Sequence, residues 1–435
     1  MTSCVLLTGM VASAATDDRK RAAEAVGRNR KPVTDLVLAA LTALTVACSG
    51  PQVADTLVVS DDPELRSVAS ELLLDLAQRS GMDLRAPVRL ARRSRDELVG
   101  YLTAQLDREL PPDEARMIGD SYWLLGLMPA EIDLRELLLA VYTEQVAGFY
   151  DPDSTALFVM DDQPAEELRT VLIHELVHAV QDQSVDLSDL TARERGNDRQ
   201  AAAQAAIEGH ATLVMLEYLT EKMQGRAVDL TEVPDFAAQV RPALQSLSAQ
   251  YPALMKAPRV IQESLLFPYF EGAGFVQRLW HEAGGRPSPL GPVLPQSTEQ
   301  VMATGAMLLA ERDEPTELVL EVGGKSRYSN TLGQMETRVL LADVAGGDPT
   351  NAAEGWDGDR FTLVYGDDGP ALAWVTVWDD TAARDRFVAT LRPALGNFPR
   401  PATLETTVIE SRPGAILRVG SVPTFSTVLP EGGRF

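Results

Sequence analysis

Only two cysteines occur in the 435 residues, Cys4 and Cys48, both near the N-terminus. The rest of the chain therefore has neither a disulfide framework nor a cysteine-rich zinc site, and at this length a core needs no such staple. Histidine is confined to four positions. Cations are in deficit: 39 Lys and Arg face 63 Asp and Glu, a formal charge of −24 at pH 7. That balance argues against a nucleic-acid partner, because phosphate binding depends on clustered cations. No apolar run reaches the roughly 20 residues that a membrane-crossing helix requires. Repeats of fixed period are lacking, and low complexity is limited to an Ala-rich stretch. What remains, 45% hydrophobic and 23% charged residues, is the composition of an ordinary globular protein, long enough for two or three folded units of roughly 150 residues each. Any metal must be held by histidine and carboxylates.

Arg28, Arg30 and Lys31 precede an apolar run from Leu36 to Ala47, which ends in small residues before Cys48. This order resembles a bacterial lipoprotein signal. The resemblance implies that Cys48 is lipidated and becomes the mature N-terminus, so that the protein lies outside the cytoplasm and touches the membrane through a lipid anchor only. Thr45 stands where such signals usually carry Leu. The expected layout is a leader over 1–47, a polar tether over 48–61, a mainly helical domain with a small sheet over 62–310, and a smaller α+β unit over 311–435. The fold class is thus α+β.

Leu65, Val68, Leu72 and Leu73 fall at helical spacing within Pro63–Gln78. Further helices are predicted over Ser94–Leu106, Asp113–Leu127 and Ile132–Val146. The pattern then changes to Ala147-Gly-Phe-Tyr150, turn residues Asp151–Ser154, and Ala156–Met160, which reads as a β-hairpin. A helix follows from Asp162 to about Gln183, opening with Pro164 and the acidic pair Glu166 and Glu167. After a polar stretch, an Ala-rich helix runs from Asp198 to about Met223, and another is expected near Tyr269–Ala283. Ser297 and Gln300 have capping-box spacing, read as simple capping. From about Glu314 the texture is β-rich, with strands at Phe361–Tyr365, Ala371–Trp378, Thr406–Ile409 and Ile416–Val419 and a helix at Thr381–Leu391. Gly355–Arg360 lacks the ligand periodicity of a calcium loop and reads as a turn entering a strand.

The strongest statement in the sequence is His174-Glu175-Leu176-Val177-His178, an H-E-x-x-H inside a well-delimited helix. Histidines at i and i+4 share one helix face, so both imidazoles can reach one metal ion, with Glu175 beside it as a base for water. A catalytic zinc site needs a third protein ligand and an open position. The next helix offers Glu208 and His210, which lie two residues apart and point about 200° away from each other. Only one can face the metal. Glu208 is the expected ligand, completing a His₂Glu set, and His210 is expected in a supporting or surface role.

The motif with Glu208 downstream resembles the zincin metallopeptidases, in particular the glutamate-ligand group called gluzincins. The string His174–Gln183, the Gly148–Pro152 hairpin and Glu208-Gly-His-Ala211 are similar to a poorly characterised bacterial family of secreted HExxH proteins. The resemblance spans roughly residues 60–310. It implies one catalytic Zn²⁺ held by His174, His178 and Glu208, Glu175 as general base, and a peptide or protein as substrate. It further implies a Tyr or His donor at the oxyanion, for which Tyr269 and His281 are both candidates. Ala156–Met160 would be the edge strand along which a peptide pairs, or else only pack on the helix. Where thermolysin has an Asp one turn after the glutamate ligand, this chain has Thr212, so the partner that orients a histidine is left open. The alternative reading is a catalytically silent zincin-fold lipoprotein serving as a binding or scaffolding module.

Overall fold

The computed structural model describes residues 57–233, 251–303, 312–322, 326–346 and 350–429, with three further positions between 236 and 239. The leader and Cys48 lie outside the described residues. The architecture is α+β, mainly helical with small sheets. Strand β1 (Val58–Val59) leads into helix α1 (Pro63–Ser80), whose N-cap Asp62 accepts from the backbone of Glu64 and Leu65. Then come β2 (Val88–Arg93), α2 (Arg95–Glu109), α3 (Pro112–Leu124) and α4 (Leu134–Gln145). Ser94 and Glu97 close a capping box at the head of α2, and Pro112 occupies the first turn of α3, where its missing N–H costs nothing.

Strands β3 (Gly148–Asp151) and β4 (Ala156–Met160) form the expected hairpin. The sheet order is β1-β2-β4-β3, with β1, β2 and β4 mutually parallel and β3 antiparallel to β4. Two expectations are corrected by this sheet. Ala156–Met160 is not an edge strand, because β2 and β3 take up its hydrogen bonds on both sides, leaving β1 and β3 at the edges. The tether does not extend to residue 61, because Val58 pairs beside Val88 and its side chain is buried.

Behind the sheet lie α5 (Ala165–Asp182), α6 (Asn197–Gln224) and α7 (Arg259–Ala283). Helix α5 packs on α1, α6 and β3, and α6 makes its most extensive contact with α7. That contact is backbone against backbone. A Cβ on Gly209 would lie 2.0 Å from the carbonyl carbon of Gly272, and one on Gly272 would lie 2.1 Å from the carbonyl oxygen of Ala205. Helix α7 starts ten residues before the expected Tyr269, running straight through Pro268. Proline inside a helix removes one hydrogen bond and crowds the preceding turn; here the buried Val260, Ile261, Leu265, Leu266 and Phe267 on its N-terminal side anchor the extra turns in the core.

The short helix Thr298–Met302 is capped by Ser297, whose hydroxyl accepts from the backbone of Gln300, while the Gln300 side chain accepts from Gln296. This is capping alone, as expected. After β5 (Val319–Glu321) come β6 (Ser326–Asn330), α8 (Gly333–Leu340), β7 (Trp356–Gly366), β8 (Gly369–Trp378), α9 (Thr381–Leu391), β9 (Ala402–Ile409), β10 (Arg412–Val419) and β11 (Ser426–Val428). Five of these strands form an antiparallel sheet, β6-β7-β8-β10-β9. Gly355, at φ 78°, makes the expected turn into β7. Helix α9 covers one face, with Phe387 packed against Trp374 and Trp378. The apolar core runs continuously from α1 and α5 into this unit, so the two halves share one interior.

The seam between the halves buries carboxylates. Asp198, at the head of α6, accepts from the backbone and hydroxyl of Thr298; Glu336 accepts from the Tyr122 hydroxyl at 2.7 Å; Asp359 accepts from the backbone of Leu332 and Gly333 and from the Trp374 indole. Burial pushes Asp198 up to about 7, Asp359 to about 6 and Glu336 to about 8. The folded state thus keeps protons that the unfolded chain releases near pH 4, and the stability this confers is lost as pH rises from about 4 through the raised values. We expect a higher melting temperature at pH 5.5 than at pH 8.5, with Glu336→Gln narrowing the gap by raising the pH 8.5 value; equal melting temperatures would contradict this. Gly209→Ala should destabilise by at least about 1–3 kcal/mol, since its methyl group has no space against the Gly272 backbone; chemical denaturation measures it.

Candidate metal centre

Histidines 174 and 178 sit mid-helix on α5, where Leu168, Val171, Leu172, Val177 and Val180 are all buried and fix the helix on several sides. Glu208 projects from α6 one residue before the glycine crossing. The structure brings all three together. His174 Nε2 lies 3.1 Å from Glu208 Oε2 and 3.0 Å from His178 Nε2, and His178 Nε2 lies 3.5 Å from the same carboxylate oxygen. Donors placed 2.0–2.1 Å from a common tetrahedral centre are roughly 3.3 Å apart. The observed spacing fits that requirement, and the buried group His174, His178 and Glu208 can hold a metal ion.

His210 stays out of this group, as the angular argument requires. Its Nε2 meets the carbonyl of Ser80 at 2.9 Å, and its Nδ1 meets Gln181 Nε2 at 2.9 Å. Gln181 Nε2 also donates to the carbonyl of Ile207, and its Oε1 lies 2.7 Å from His178 Nδ1. One consistent proton arrangement runs through these contacts. His210 Nε2–H donates to Ser80, Gln181 donates to His210 Nδ1, and His178 Nδ1–H donates to Gln181. The lone pair of His178 Nε2 is then left pointing at Glu208 and His174, where a metal would be. Burial pushes His210 down to about 4, in keeping with a neutral ring.

Gln181 is the residue that sequence reasoning missed. It stands three positions after His178, on the same helix face, and a buried amide there was the available signal. Thr212 does not take the orienting role: among the described residues its buried hydroxyl meets no hydrogen-bond partner, and neither does His174 Nδ1.

The electrostatics follow from packing three ionisable groups together. Burial alone would raise Glu208, but His178 and His174 overturn it and hold the carboxyl below its ordinary value. Burial also opposes charge on both imidazoles. It prevails at His174, which is lowered, whereas Glu208, Glu175 and Gln181 together raise His178.

Glu175 is fully buried beside the ligands and close enough to raise His178. Gly148 makes room for its neighbour Val171: a Cβ there would lie 2.6 Å from Val171, whereas 3.7 Å from Glu175 Cγ is ordinary contact, so β3 runs tight over this part of α5. The Tyr150 hydroxyl donates to Asp182 at 2.8 Å and that of Tyr101 to Asp151 at 3.1 Å, pinning the hairpin to α5 and α2. The two oxyanion candidates now separate. Tyr269 is fully buried with its ring centroid 6.1 Å from that of His174. His281 is 55% exposed beside Glu232, twelve residues or roughly 18 Å further along α7.

Among known families, a domain of unknown function (DUF8575) matches residues 319–419. The match covers the five-stranded sheet and leaves the metal-centre helices outside it. No curated protein and no solved structure matches the chain.

His174→Ala, His178→Ala and Glu208→Ala should each abolish tight metal binding, since each removes one of three donors. Gln181→Leu should keep the fold and weaken binding by about 10–100-fold, the usual cost of losing a group that orients a ligand. His210→Ala should cost less than Glu208→Ala. Chelator-competition titration measures all five, and an unaltered affinity for Gln181→Leu would remove the amide from its orienting role.

Proposed function

We propose that the protein is a zinc-dependent peptidase that cleaves peptide bonds outside the cytoplasm, held to the cell envelope by lipid on Cys48. The observation that carries this reading is the donor count. Among the described residues three donors converge at tetrahedral spacing and the only other fully buried imidazole, His210, is turned away. A structural zinc site is normally closed by four protein ligands, whereas three leave a position for water or substrate. The ligand set of two imidazoles and one carboxylate suits zinc.

Zinc held by His174, His178 and Glu208 supplies Lewis acidity, polarising a substrate carbonyl and bringing a water's pKa towards about 7. Glu175, a carboxylate that is not needed as a ligand, takes the proton from the attacking water and delivers it to the departing amide nitrogen. Tyr269 is the candidate donor to the carbonyl oxygen as it gains charge. Gln181 holds the His178 ring in its ligating tautomer throughout.

One observation favours the alternative of a catalytically silent binding module: His174, Glu175, His178, Glu208 and Tyr269 are each at most 2% exposed. The same substitution separates the readings. Glu175→Gln should retain zinc while lowering peptide cleavage by about 10²–10⁴-fold, the range for losing a general base. Zinc-loaded wild-type protein that cleaves nothing in a broad peptide library would favour the silent module, and undiminished cleavage by Glu175→Gln would remove Glu175 from catalysis.

A further inference from the structure

A cavity of about 410 Å³ opens beside the head of α6, between that helix and the C-terminal sheet. Asp198 on its wall precedes Glu208 by ten residues, roughly 15 Å along the helix, so the cavity is separate from the metal centre. Four arginines line it. Arg193 is paired with Glu114, and Arg199 with Glu317 at 2.6 Å. The other two have no carboxylate within ion-pair distance among the described residues. Arg195 reaches only Gln296 Oε1, at 3.4 Å, and its Nε is buried without a partner. Arg360 reaches only the Ser329 hydroxyl, at 3.0 Å. Both side chains are half-buried.

In a chain with 63 acidic residues against 39 basic ones, two half-buried guanidiniums with no carboxylate at ion-pair distance among the described residues call for an explanation, since burying charge without a close partner is costly. Burial and the neighbouring Arg199 both press the Arg195 guanidinium towards losing its proton, and no carboxylate opposes them. A third donor shares the wall. Trp356 lines the cavity and is 2% exposed, and its indole N–H is buried with no acceptor among the described residues. The acids nearby are otherwise engaged: Asp198 accepts from Thr298, and Asp359 from backbone amides and Trp374. Glu194 is exposed. Apolar wall is supplied by Leu318 and Val319.

We infer that this cavity binds a monocarboxylate with an apolar body, either a free organic acid or the C-terminal end of a peptide. A guanidinium fork matches a planar carboxylate with two parallel N–H donors, the Trp356 indole supplies a further N–H, and Leu318 and Val319 meet the apolar part. A phosphate dianion suits the site less well, since Glu194 on the same wall repels it about twice as strongly as it repels a monocarboxylate. The seat joins both halves of the protein, and nothing in it depends on the metal.

Titration calorimetry on the full chain, with metal removed and again with zinc restored, tests this with three probes: 4-methylpentanoate, acetyl-Ala-Leu with a free carboxylate, and acetyl-Ala-Leu amide. Both acids should bind equally well with and without metal, and the amide at least about tenfold more weakly, a loss of about 1.4 kcal/mol. Acetyl-Ala-Leu binding more tightly than 4-methylpentanoate identifies a peptide terminus as the ligand, and the reverse identifies a small acid. Arg195→Gln and Arg360→Gln, each checked for folding by circular dichroism, should each weaken the acids about tenfold or more. Trp356→Phe removes the N–H while keeping an aromatic side chain and should weaken them by a smaller factor. Equal binding of acid and amide, no binding of either acid up to about 10 mM, tighter binding of inorganic phosphate, or folded arginine variants with unchanged affinity would each overturn the assignment. Should both arginine variants fail to fold, the acid-against-amide comparison on the wild type and Trp356→Phe decide it.

Discussion

Two helix backbones touch at Gly209 and Gly272, and the placement of nearly every group in the metal centre depends on that contact. Because no side chain separates α6 from α7 there, the helices approach until a Cβ on either glycine would overlap the other's main chain. Glu208 and His210 flank Gly209 and are driven to opposite sides of the crossing. Glu208 is carried to the imidazoles of α5, and His210 to Gln181 and the carbonyl at the end of α1. On the other helix, Tyr269 lies three residues before Gly272 and is brought against His174. One steric constraint therefore sets a ligand, an orienting group and a candidate oxyanion donor at once.

Given that geometry, the hydrogen-bond chain from Ser80 through His210 and Gln181 to His178 solves a second problem. A buried imidazole has two nitrogens, and a metal can use only the one left without a proton. The carbonyl of Ser80 can only accept, so it fixes His210 with its proton on Nε2. Gln181 must then donate to His210 and accept from His178, and its second N–H is absorbed by the carbonyl of Ile207. Every orientation follows from the carbonyls of Ser80 and Ile207, which can only accept. Among the described residues His174 has no equivalent chain, and its only ring contacts of this kind are at Nε2, with Glu208 and His178.

How much of this was legible in the sequence depends on how local each relation is. His174 and His178 follow from helical period alone, and the choice of Glu208 over His210 from the angle between positions two apart. The helices with explicit caps, such as those starting after Asp62 and Ser94, also lay within a few residues of their expected ends. Strand β2 escaped notice because Val88-Arg-Leu-Ala-Arg-Arg carries three charges in six residues, and only its alternation of buried Val88 and Leu90 with exposed Arg89 marks a strand. The first turns of α7 were hidden by Pro268, whose local penalty is outweighed by core packing visible only in three dimensions. The Gly209 and Gly272 contact joins positions far apart in the chain, as does the sharing of β4 between β2 and β3, and no periodicity encodes either.

The C-terminal unit, matched to a family of unknown function, acquires a physical role from the seam. Helix α6 spans Asn197–Gln224 and is a stiff rod whose head carries Asp198 and whose middle carries Glu208. Thr298 holds that head through Asp198 and, by the same hydroxyl, accepts from the backbone of Met335 in α8. Gly333 leaves the space that Asp198 occupies, since a Cβ there would lie 1.7 Å from its carboxylate oxygen. The seam thus clamps α6 at one end while the crossing with α7 clamps it at its centre, and two fixed points on a rod determine where Glu208 sits. A change in the C-terminal unit that shifts Gly333 or Met335 would be carried along α6 to the metal ligands without touching either histidine, which gives a structural reason for the two halves to occur in one chain.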